Sequence, residues 1–223
     1  MFHVKQHLLL HDLIQFLKTQ NISLNATQIQ QLEQYHSELK IFAEKMNLIS
    51  TRDRAFIIER HFLPSFYYFH YIQNDKNLLN KRILDFGTGA GFPGIILAIS
   101  FPGSEITLID SSRKKTLFLK NIISTIDLKT HIICERIENM KNSFFNKYDI
   151  IVARAVSSIP VLYNWALPYL KRDGYLLTLK GDNYKQELDK KGDIKLVELI
   201  PDQNWCDFSD YLLNKRMIKI FNI

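Results

Sequence analysis

The sequence predicts a doubly wound α/β fold preceded by a helical extension, and two observations lead to this prediction. After Lys81, short runs rich in β-branched residues alternate with helical stretches, which is typical of a parallel sheet covered on both faces. Before that point, apolar residues recur at the spacing of three and four that marks one face of a helix. We therefore expect a helical extension over residues 1–80 and an α/β domain over residues 81–223.

Three segments of the extension have a helical pattern. In the clearest, residues 25–47, the apolar side chains lie on one face, and Asn25 followed by Gln28 resembles a capping box at its start. Residues 4–17 and 55–72 have similar patterns, and we expect Pro64 to kink or divide the second of these.

Seven short segments after the extension are candidate strands. They read, in chain order, RILDF, EITLID, HIICER, YDIIVARA, GYLLTLK, IKLVELI and RMIKIF. Helical crossovers, such as the one expected over residues 113–126, make the strands they connect parallel. The last two strands have no obvious helix between them, so we expect an antiparallel pair at the sheet edge. The sequence thus predicts a Rossmann-like, seven-stranded, mostly parallel sheet with one antiparallel edge strand.

Composition and charge limit the classes of function. The 223 residues are 46% hydrophobic and 23% charged, as in an ordinary globular protein with a buried core. No apolar run approaches the roughly 18 residues of a membrane span, and the start lacks the features of a signal peptide, so we expect a cytoplasmic protein without a membrane partner. The two cysteines lack the spacing of a metal site, and no metal is expected. A formal charge of +6 suits a polyanionic partner such as RNA.

The stretch DFGTGAGFPG, which follows the first candidate strand, fits two different cofactors. Read from Gly89, it matches the G-x-G-x-x-G pattern of dinucleotide binding; read from Asp85, it resembles the loop that binds S-adenosylmethionine. Gly87, Gly89 and Gly91 would allow the backbone to approach either ligand closely. The amino end of the next helix attracts an anionic group, which both cofactors possess.

Acidic residues at successive strand ends favour S-adenosylmethionine. Asp110 ends the second strand, where it can accept hydrogen bonds from the ribose of either cofactor. Asp85 would repel a pyrophosphate but suits a sulfonium and an ammonium group. Glu138, just past the third strand, is placed to hold the adenine edge. We therefore predict a class I S-adenosylmethionine-dependent methyltransferase; a nicotinamide-dependent reductase is the weaker alternative, since the chain has no room for a separate substrate domain.

Several segments together resemble the bacterial small-subunit rRNA guanine-N7 methyltransferase family, also called glucose-inhibited division protein B. They are NLISTRD, RHFLPS, DFGTGAGFPGI, LIDSSRKKTLFL, ERIEN, ARAVSS and LKG, and the resemblance covers about residues 27–223. It implies cofactor contacts by Gly87, Phe92, Ile137, Glu138 and Arg154. It also implies that the methyl acceptor is a guanine N7 of 16S rRNA in the small ribosomal subunit, the guanine at RNA position 527.

The residues after the fourth strand are compatible with this acceptor. Methyltransferases of exocyclic amines often carry an N/D/S-P-P-aromatic motif there, whereas this chain has Ala153, Arg154 and Ala155. A pyrimidine C5 needs a cysteine nucleophile, and neither Cys134 nor Cys206 lies beside that strand end. Guanine N7 presents a lone pair and carries no proton, so positioning could suffice. We assign no general base, and Arg154 is left with three roles: to orient the cofactor, contact an RNA phosphate, or donate to guanine O6.

Basic residues near strand ends are candidates for contact with RNA phosphates. They are Arg113, Lys114, Lys115, Lys180, Lys185, Lys215 and Arg216. Phe92 is a candidate stacking face for a turned-out base, although packing against the cofactor is favoured. The histidines, His61 among them, show no ligand spacing and are expected to be surface or core residues. We expect a monomer. Two alternatives stay open: a methyltransferase of another RNA, a small molecule or a protein, and a non-catalytic RNA-binding module in ribosome assembly.

Overall fold

The computed structural model describes residues 8–74, 80–188 and 194–222. The start of the helix expected over residues 4–17 lies outside these ranges. The helices are α1 (Leu10–Thr19), α2 (Ala26–Met46), α3 (Leu63–Gln73), α4 (Gly94–Ser100), α5 (Arg113–Thr125), α6 (Ile159–Ala166) and α7 (Gln203–Phe208). The strands are β1 (Arg82–Phe86), β2 (Glu105–Asp110), β3 (His131–Cys134), β4 (Tyr148–Arg154), β5 (Leu170–Gly181), β6 (Leu196–Leu199) and β7 (Lys215–Phe221).

The seven strands form one sheet in the order β3-β2-β1-β4-β5-β7-β6. Strands β1 to β5 are parallel, and β7 pairs antiparallel with both β5 and β6. The predicted antiparallel pair at the edge is therefore confirmed, with β6 outermost and β7 one strand further in. We call the side of the sheet where β1 to β5 end the carboxyl edge. Strand β7 starts there, since Lys215 pairs with Gly181.

The expectation that no helix separates the last two strands was wrong. Helix α7 lies between them and is capped by Asp202, whose side chain accepts a hydrogen bond from the backbone N–H of Trp205 at 3.2 Å. A helix of six residues is too short for its periodicity to be visible in the sequence.

The extension contains the expected helices, with one irregular connection. Helix α2 begins with the predicted capping box: the Asn25 side chain accepts from the Gln28 N–H, and the Gln28 side chain accepts from the Asn25 N–H, both at 2.9 Å. The third helical segment is divided into a 3-10 turn, a π-helical turn at Ile58–Phe62 and α3. Pro64 lies in the first turn of α3, where its missing N–H needs no partner. A π-helical turn often marks a functional site.

Two buried clusters cover the two faces of the sheet. One cluster joins the extension to the α/β part, with Tyr35 of α2 and Phe66 of α3 packed in the same core as Ile95 of α4. The other includes Phe86 of β1 and lies under α6. Because the first cluster crosses residue 80, the two predicted regions share a core, and their status as separate domains stays a prediction. Within the described residues, no helix is long and apolar enough to cross a membrane.

Candidate functional site

The loop between β1 and α4, residues 87–93, is named the glycine loop, and its backbone requires glycine. Gly87, Gly89 and Gly91 have φ angles of 63°, 62° and 111°, a conformation that residues with a Cβ rarely adopt. At Gly87 an added Cβ would lie 2.8 Å from Cγ2 of Val156, so the loop and the segment after β4 approach too closely for any side chain.

Asp85 is completely buried beneath the glycine loop. One of its carboxyl oxygens accepts a hydrogen bond from the Gly94 N–H, at the start of α4, at 2.8 Å. Burial raises the pKa of Asp85 to about 7. The carboxyl group thus fixes the junction between loop and helix, and its predicted contact with a cofactor stays a prediction.

Asp110 links the glycine loop to the residues after β2. Its Oδ2 accepts from the Gly89 N–H at 2.9 Å and its Oδ1 accepts from the Ser112 N–H at 2.8 Å. The ammonium group of Lys115 lies 3.9 Å from Oδ2. Each carboxylate oxygen can accept more than one hydrogen bond, so Asp110 retains capacity for a ligand hydroxyl.

A cleft opens at the carboxyl edge beside these residues. Four of the predicted cofactor-binding residues line it: Gly87, Asp110, Ile137 and Glu138. Ile137 is buried and Glu138 is exposed. Trp165 of α6 forms another part of the wall, and the sequence analysis missed it because nothing in the local pattern of α6 points to a ligand. The cleft combines apolar walls with carboxylates, which suits an adenosine group.

Arg154 ends β4 and is bound by the extension. Its Nη1 donates to the backbone carbonyl of Arg60 at 2.7 Å, and its Nη2 lies 2.6 Å from Nδ1 of His61. The guanidinium carbon is 5.5 Å from the ring centroid of Phe92, so Arg154 lies directly beside the glycine loop. Ala155, the next residue, has a φ of 54°, which is strained for a residue with a Cβ and is typical of functional sites.

His61 is a site residue that the sequence analysis missed. Its side chain is 13% exposed, and burial, followed by the nearby charge of Arg154, lowers its pKa to about 3. The expectation of a surface or core residue allowed for its burial but not for its bond to Arg154. Spacing could not reveal this bond because the two residues are 93 positions apart; only the RHFLPS segment of the family resemblance indicated the region.

Aromatic side chains of the extension support both the glycine loop and β4. The ring of Phe92 is 3% exposed and packs against Tyr35, His61 and Phe62, with centroids 5.1–5.4 Å apart. Such burial leaves little ring surface for stacking a nucleobase. The Tyr35 hydroxyl donates to the carbonyl of Ala90, within the loop, at 2.9 Å.

Tyr68 of α3 joins the ends of β4 and β5. Its hydroxyl donates to the carbonyl of Ala153 and accepts from the Leu179 N–H, both at 2.7 Å. The side chain is completely buried, so both hydrogen bonds are shielded from water. This residue holds the strand end that carries Arg154.

The predicted RNA-contact residues all lie at the carboxyl edge, in two groups on either side of the site. Arg113 and Lys114, both exposed, begin α5, and Lys115 follows them. The second group surrounds the end of β5 and the start of β7; it consists of Lys180, Lys185, Lys215 and Arg216.

Within the second group, the cations differ in how much of their side chains is exposed to solvent. Lys180 is 10% exposed and bonded to Glu187 at 2.8 Å and to the carbonyl of Ser157, so it fastens the segment after β4. Lys185 is 70% exposed, although its ammonium lies 3.2 Å from Glu198. Glu198 also pairs with Arg216 at 3.2 Å.

The fold and the site together define a class of protein. Solved structures with the same fold include a putative S-adenosylmethionine-dependent methyltransferase of Methanococcus maripaludis, with a TM-score of 0.58 and 16% identity over 82% of this chain and 93% of that one. Another is the plantazolicin methyltransferase BpumL in complex with SAH, with a TM-score of 0.56 and 14% identity over 86% of this chain and 96% of that one. The fold is that of the class I methyltransferases, as predicted.

Closer similarity identifies the family. Residues 28–207 match the family model described as rRNA small subunit methyltransferase G, or GidB, and the chain belongs to this family. A relative named ribosomal RNA small subunit methyltransferase G in Acetivibrio thermocellus is 37% identical over 90% of this chain and 84% of its own length. Proteins of the same name in Staphylococcus carnosus and Mycoplasma capricolum are 36% and 32% identical over 80% and 82% of this chain, covering 75% and 80% of their own lengths. The family resemblance is thus confirmed.

Proposed function

We propose that this chain transfers a methyl group from S-adenosylmethionine to N7 of a guanine in 16S rRNA. The observation that carries the proposal is the convergence of the glycine loop, the cleft and Arg154 at one edge of the sheet. The names of the relatives support the small-subunit rRNA as substrate. The guanine N7 rests on the family resemblance, with which the residues after β4 are compatible.

The residues of the cleft fit S-adenosylmethionine. Gly87 and Val156 line the cleft side by side, and the absence of a Cβ at Gly87 leaves its backbone open to a ligand there. Asp110 would accept hydrogen bonds from the ribose hydroxyls, and Glu138 would hold the adenine amino group. Ile137 and Trp165 would supply apolar surface for the ring. When bound, the cofactor supplies an electrophilic methyl group on a sulfonium centre.

The side chains near Arg154 would position the acceptor rather than remove a proton from it. Guanine N7 has a lone pair and no proton, so an oriented hydrogen-bond donor and exclusion of water are sufficient. Arg154 offers a charged donor next to the glycine loop, where it would orient the cofactor, contact an RNA phosphate or donate to guanine O6.

The basic groups on both sides of the site would bind RNA phosphates. Arg113, Lys114 and Lys185 are exposed at the carboxyl edge and would supply binding that is independent of sequence and sensitive to salt. Lys215, whose ammonium lies 4.9 Å above the ring of Tyr211, and Arg216 would complete this surface. We further propose that the protein acts as a cytoplasmic monomer.

A methyl-transfer assay tests the proposal. The protein is incubated with radiolabelled S-adenosylmethionine and, in parallel, with intact small subunits, naked 16S rRNA or tRNA. Labelled RNA is then reduced and treated with aniline, which cleaves the strand at 7-methylguanosine. We expect label in small-subunit rRNA and a single cleavage site.

Each other outcome points to a different function. Label in rRNA without cleavage would contradict N7 as the acceptor, and label in tRNA alone would indicate another RNA substrate. Binding of rRNA with no transfer and no binding of cofactor would support the RNA-binding assembly module instead. A control variant is Lys171→Ala, which should transfer methyl groups as the wild type does, since this half-exposed cation lies at the opposite edge of the sheet, bonded to Asp149 at 2.9 Å.

A further inference from the structure

The extension contributes two hydrogen-bond acceptors to the guanidinium of Arg154. Both come from the π-helical turn Ile58–Phe62: the carbonyl of Arg60 and the ring nitrogen Nδ1 of His61. The wider π-helical turn places consecutive residues so that a backbone acceptor and a side-chain acceptor face the same cation. Arg154 has five N–H donors, so further donors remain beyond the two that the turn engages.

The bond to Arg154 determines which nitrogen of the His61 ring carries the proton. A guanidinium has only donors, so Nδ1 of His61 must accept and the ring proton must be on Nε2. Burial and the charge of Arg154 lower the pKa of the ring to about 3, which keeps it neutral at physiological pH. The Nε2 atom faces Oδ2 of Asp53 at 3.9 Å, and Asp53 is in turn bonded to Arg60 and to Ser50.

We propose that His61 is a positioning residue for methyl transfer, whose neutral Nδ1 holds the guanidinium of Arg154 over the glycine loop and directs its other donors to the acceptor. This inference rests on the proposed function and assigns a task to the extension. The extension then completes the active site, in addition to covering one face of the sheet.

The proposal makes a distinction between the ring of His61 and its lone pair. The ring also packs on Phe92 at 5.1 Å, so a purely structural role would depend on its size and shape. His61→Phe keeps a ring and removes the acceptor. His61→Asn removes the ring and keeps an amide oxygen close to the position of Nδ1.

Kinetics with small subunits separate these roles. We expect His61→Phe to lower kcat by about 10- to 100-fold, the usual effect of a small misplacement, with KM for S-adenosylmethionine changed by less than about 3-fold. We expect His61→Asn to recover most of that loss. His70→Phe, which changes a half-buried histidine of α3 packed on Trp205, is the matched control and should keep wild-type kcat. Wild-type kcat in His61→Phe, or equal losses in the Phe and Asn variants, would overturn the proposal.

A spectroscopic measurement tests the link independently of methyl transfer. Long-range ¹H–¹⁵N correlation spectra of the free protein report the tautomer of each imidazole, and the His61 signal is assigned by its loss in His61→Phe. We expect a neutral ring protonated on Nε2 down to pH 5, and a pKa that rises in Arg154→Met because the neighbouring positive charge is gone. A ring protonated on Nδ1, or a pKa unchanged in Arg154→Met, would overturn the link even if the chain proves to methylate another substrate.

Discussion

The site has two halves, which are held together by different kinds of contact. We call the glycine loop and the cleft the cofactor half, and Arg154 with its partners in the extension the arginine half. In the cofactor half, the backbone N–H of Gly89 in the glycine loop donates to the side chain of Asp110, 21 residues later. In the arginine half, side chains join segments that are 85 to 111 residues apart, through Tyr68, His61 and Arg154. The first half thus rests mainly on contacts within the α/β part, and the other exists only when the extension is packed on the sheet.

This difference suggests separate tasks for the two halves: binding of the cofactor in one and positioning of the methyl acceptor in the other. The cofactor half is built mainly from strand ends and loops of the α/β part, to which the extension adds the Tyr35 hydrogen bond to Ala90 and the packing around Phe92. The arginine half requires α3, the π-helical turn and β4 to pack against one another, because its hydrogen bonds join all three. We therefore expect changes in the cofactor half to act on cofactor affinity, and changes in the arginine half to act on turnover.

Substitution of Arg154 by alanine should have the largest effect. We expect the rate of methyl transfer to small subunits to fall by about 100-fold or more, as when a charged donor at a reacting centre is removed, while the fold is retained. Single-turnover kinetics with radiolabelled cofactor measure the rate, and circular dichroism checks the fold. Arg154→Lys is the matched control: it keeps the charge but cannot bond to Arg60 and His61 together, and should recover only a small part. Wild-type turnover by Arg154→Ala would remove this residue from the site.

Gly87→Ala should act on the other half. Its φ of 63° and the 2.8 Å approach of the new Cβ to Val156 should displace the glycine loop and weaken S-adenosylmethionine binding by about 10-fold or more. Isothermal titration calorimetry measures the affinity. In Gly87→Ala/Val156→Ala the clash is removed and the strained φ remains, so part of the affinity should return. If both proteins bind like the wild type, the close approach at Gly87 is not needed for the cofactor.

Tyr68→Phe should destabilise the arginine half without touching the cleft. The variant leaves the carbonyl of Ala153 and the N–H of Leu179 buried without their side-chain partner, which costs about 1–3 kcal/mol of unfolding free energy. Urea unfolding gives this value, and calorimetry should show unchanged cofactor affinity. A loss of cofactor affinity equal to that of Gly87→Ala would mean that the two halves are not separable.

The smallest effect is expected at the RNA-contact surface. Lys185 is mostly exposed, and its pair with Glu198 should contribute less than about 1 kcal/mol to stability. Lys185→Ala should instead weaken rRNA binding and lower the slope of log affinity against log salt by about 1. Lys180→Ala is the comparison: this lysine is buried against Glu187 and Ser157, so we expect lower stability with the salt slope preserved. A preserved salt slope in Lys185→Ala together with a lowered slope in Lys180→Ala would contradict this assignment and make Lys180 the RNA contact.

The sequence could predict which residues meet at the cleft because the determinants of their positions are local, and their contact with the cofactor stays a prediction. All seven candidate strands are present, and β1 and β2 match the segments RILDF and EITLID residue for residue. Glycines and strand-end carboxylates lie next to the strands that position them, so a parallel sheet is enough to bring Gly87, Asp110 and Glu138 to one cleft.

The arginine half could not be predicted in this way. His61 has an ordinary helical neighbourhood, and its importance comes from Arg154, 93 residues later. The π-helical turn that orients His61 has no recognisable pattern of apolar spacing. Outside the site, α7 was missed for a similar reason, since its six residues are too few to show one. Phe92 was predicted at the site, but its burial among Tyr35 and Phe62 depends on how α2 packs, which no local motif records.

The position of β7 has a consequence for the order of events during synthesis. Among the described strands, β6 pairs only with β7, and β7 lies between β5 and β6. While the chain is being made, β6 therefore emerges before its partner exists, and β5 presents an unpaired edge open to other nascent chains. The sheet can be completed only when the last of these strands has left the exit tunnel and inserted between two that were made earlier.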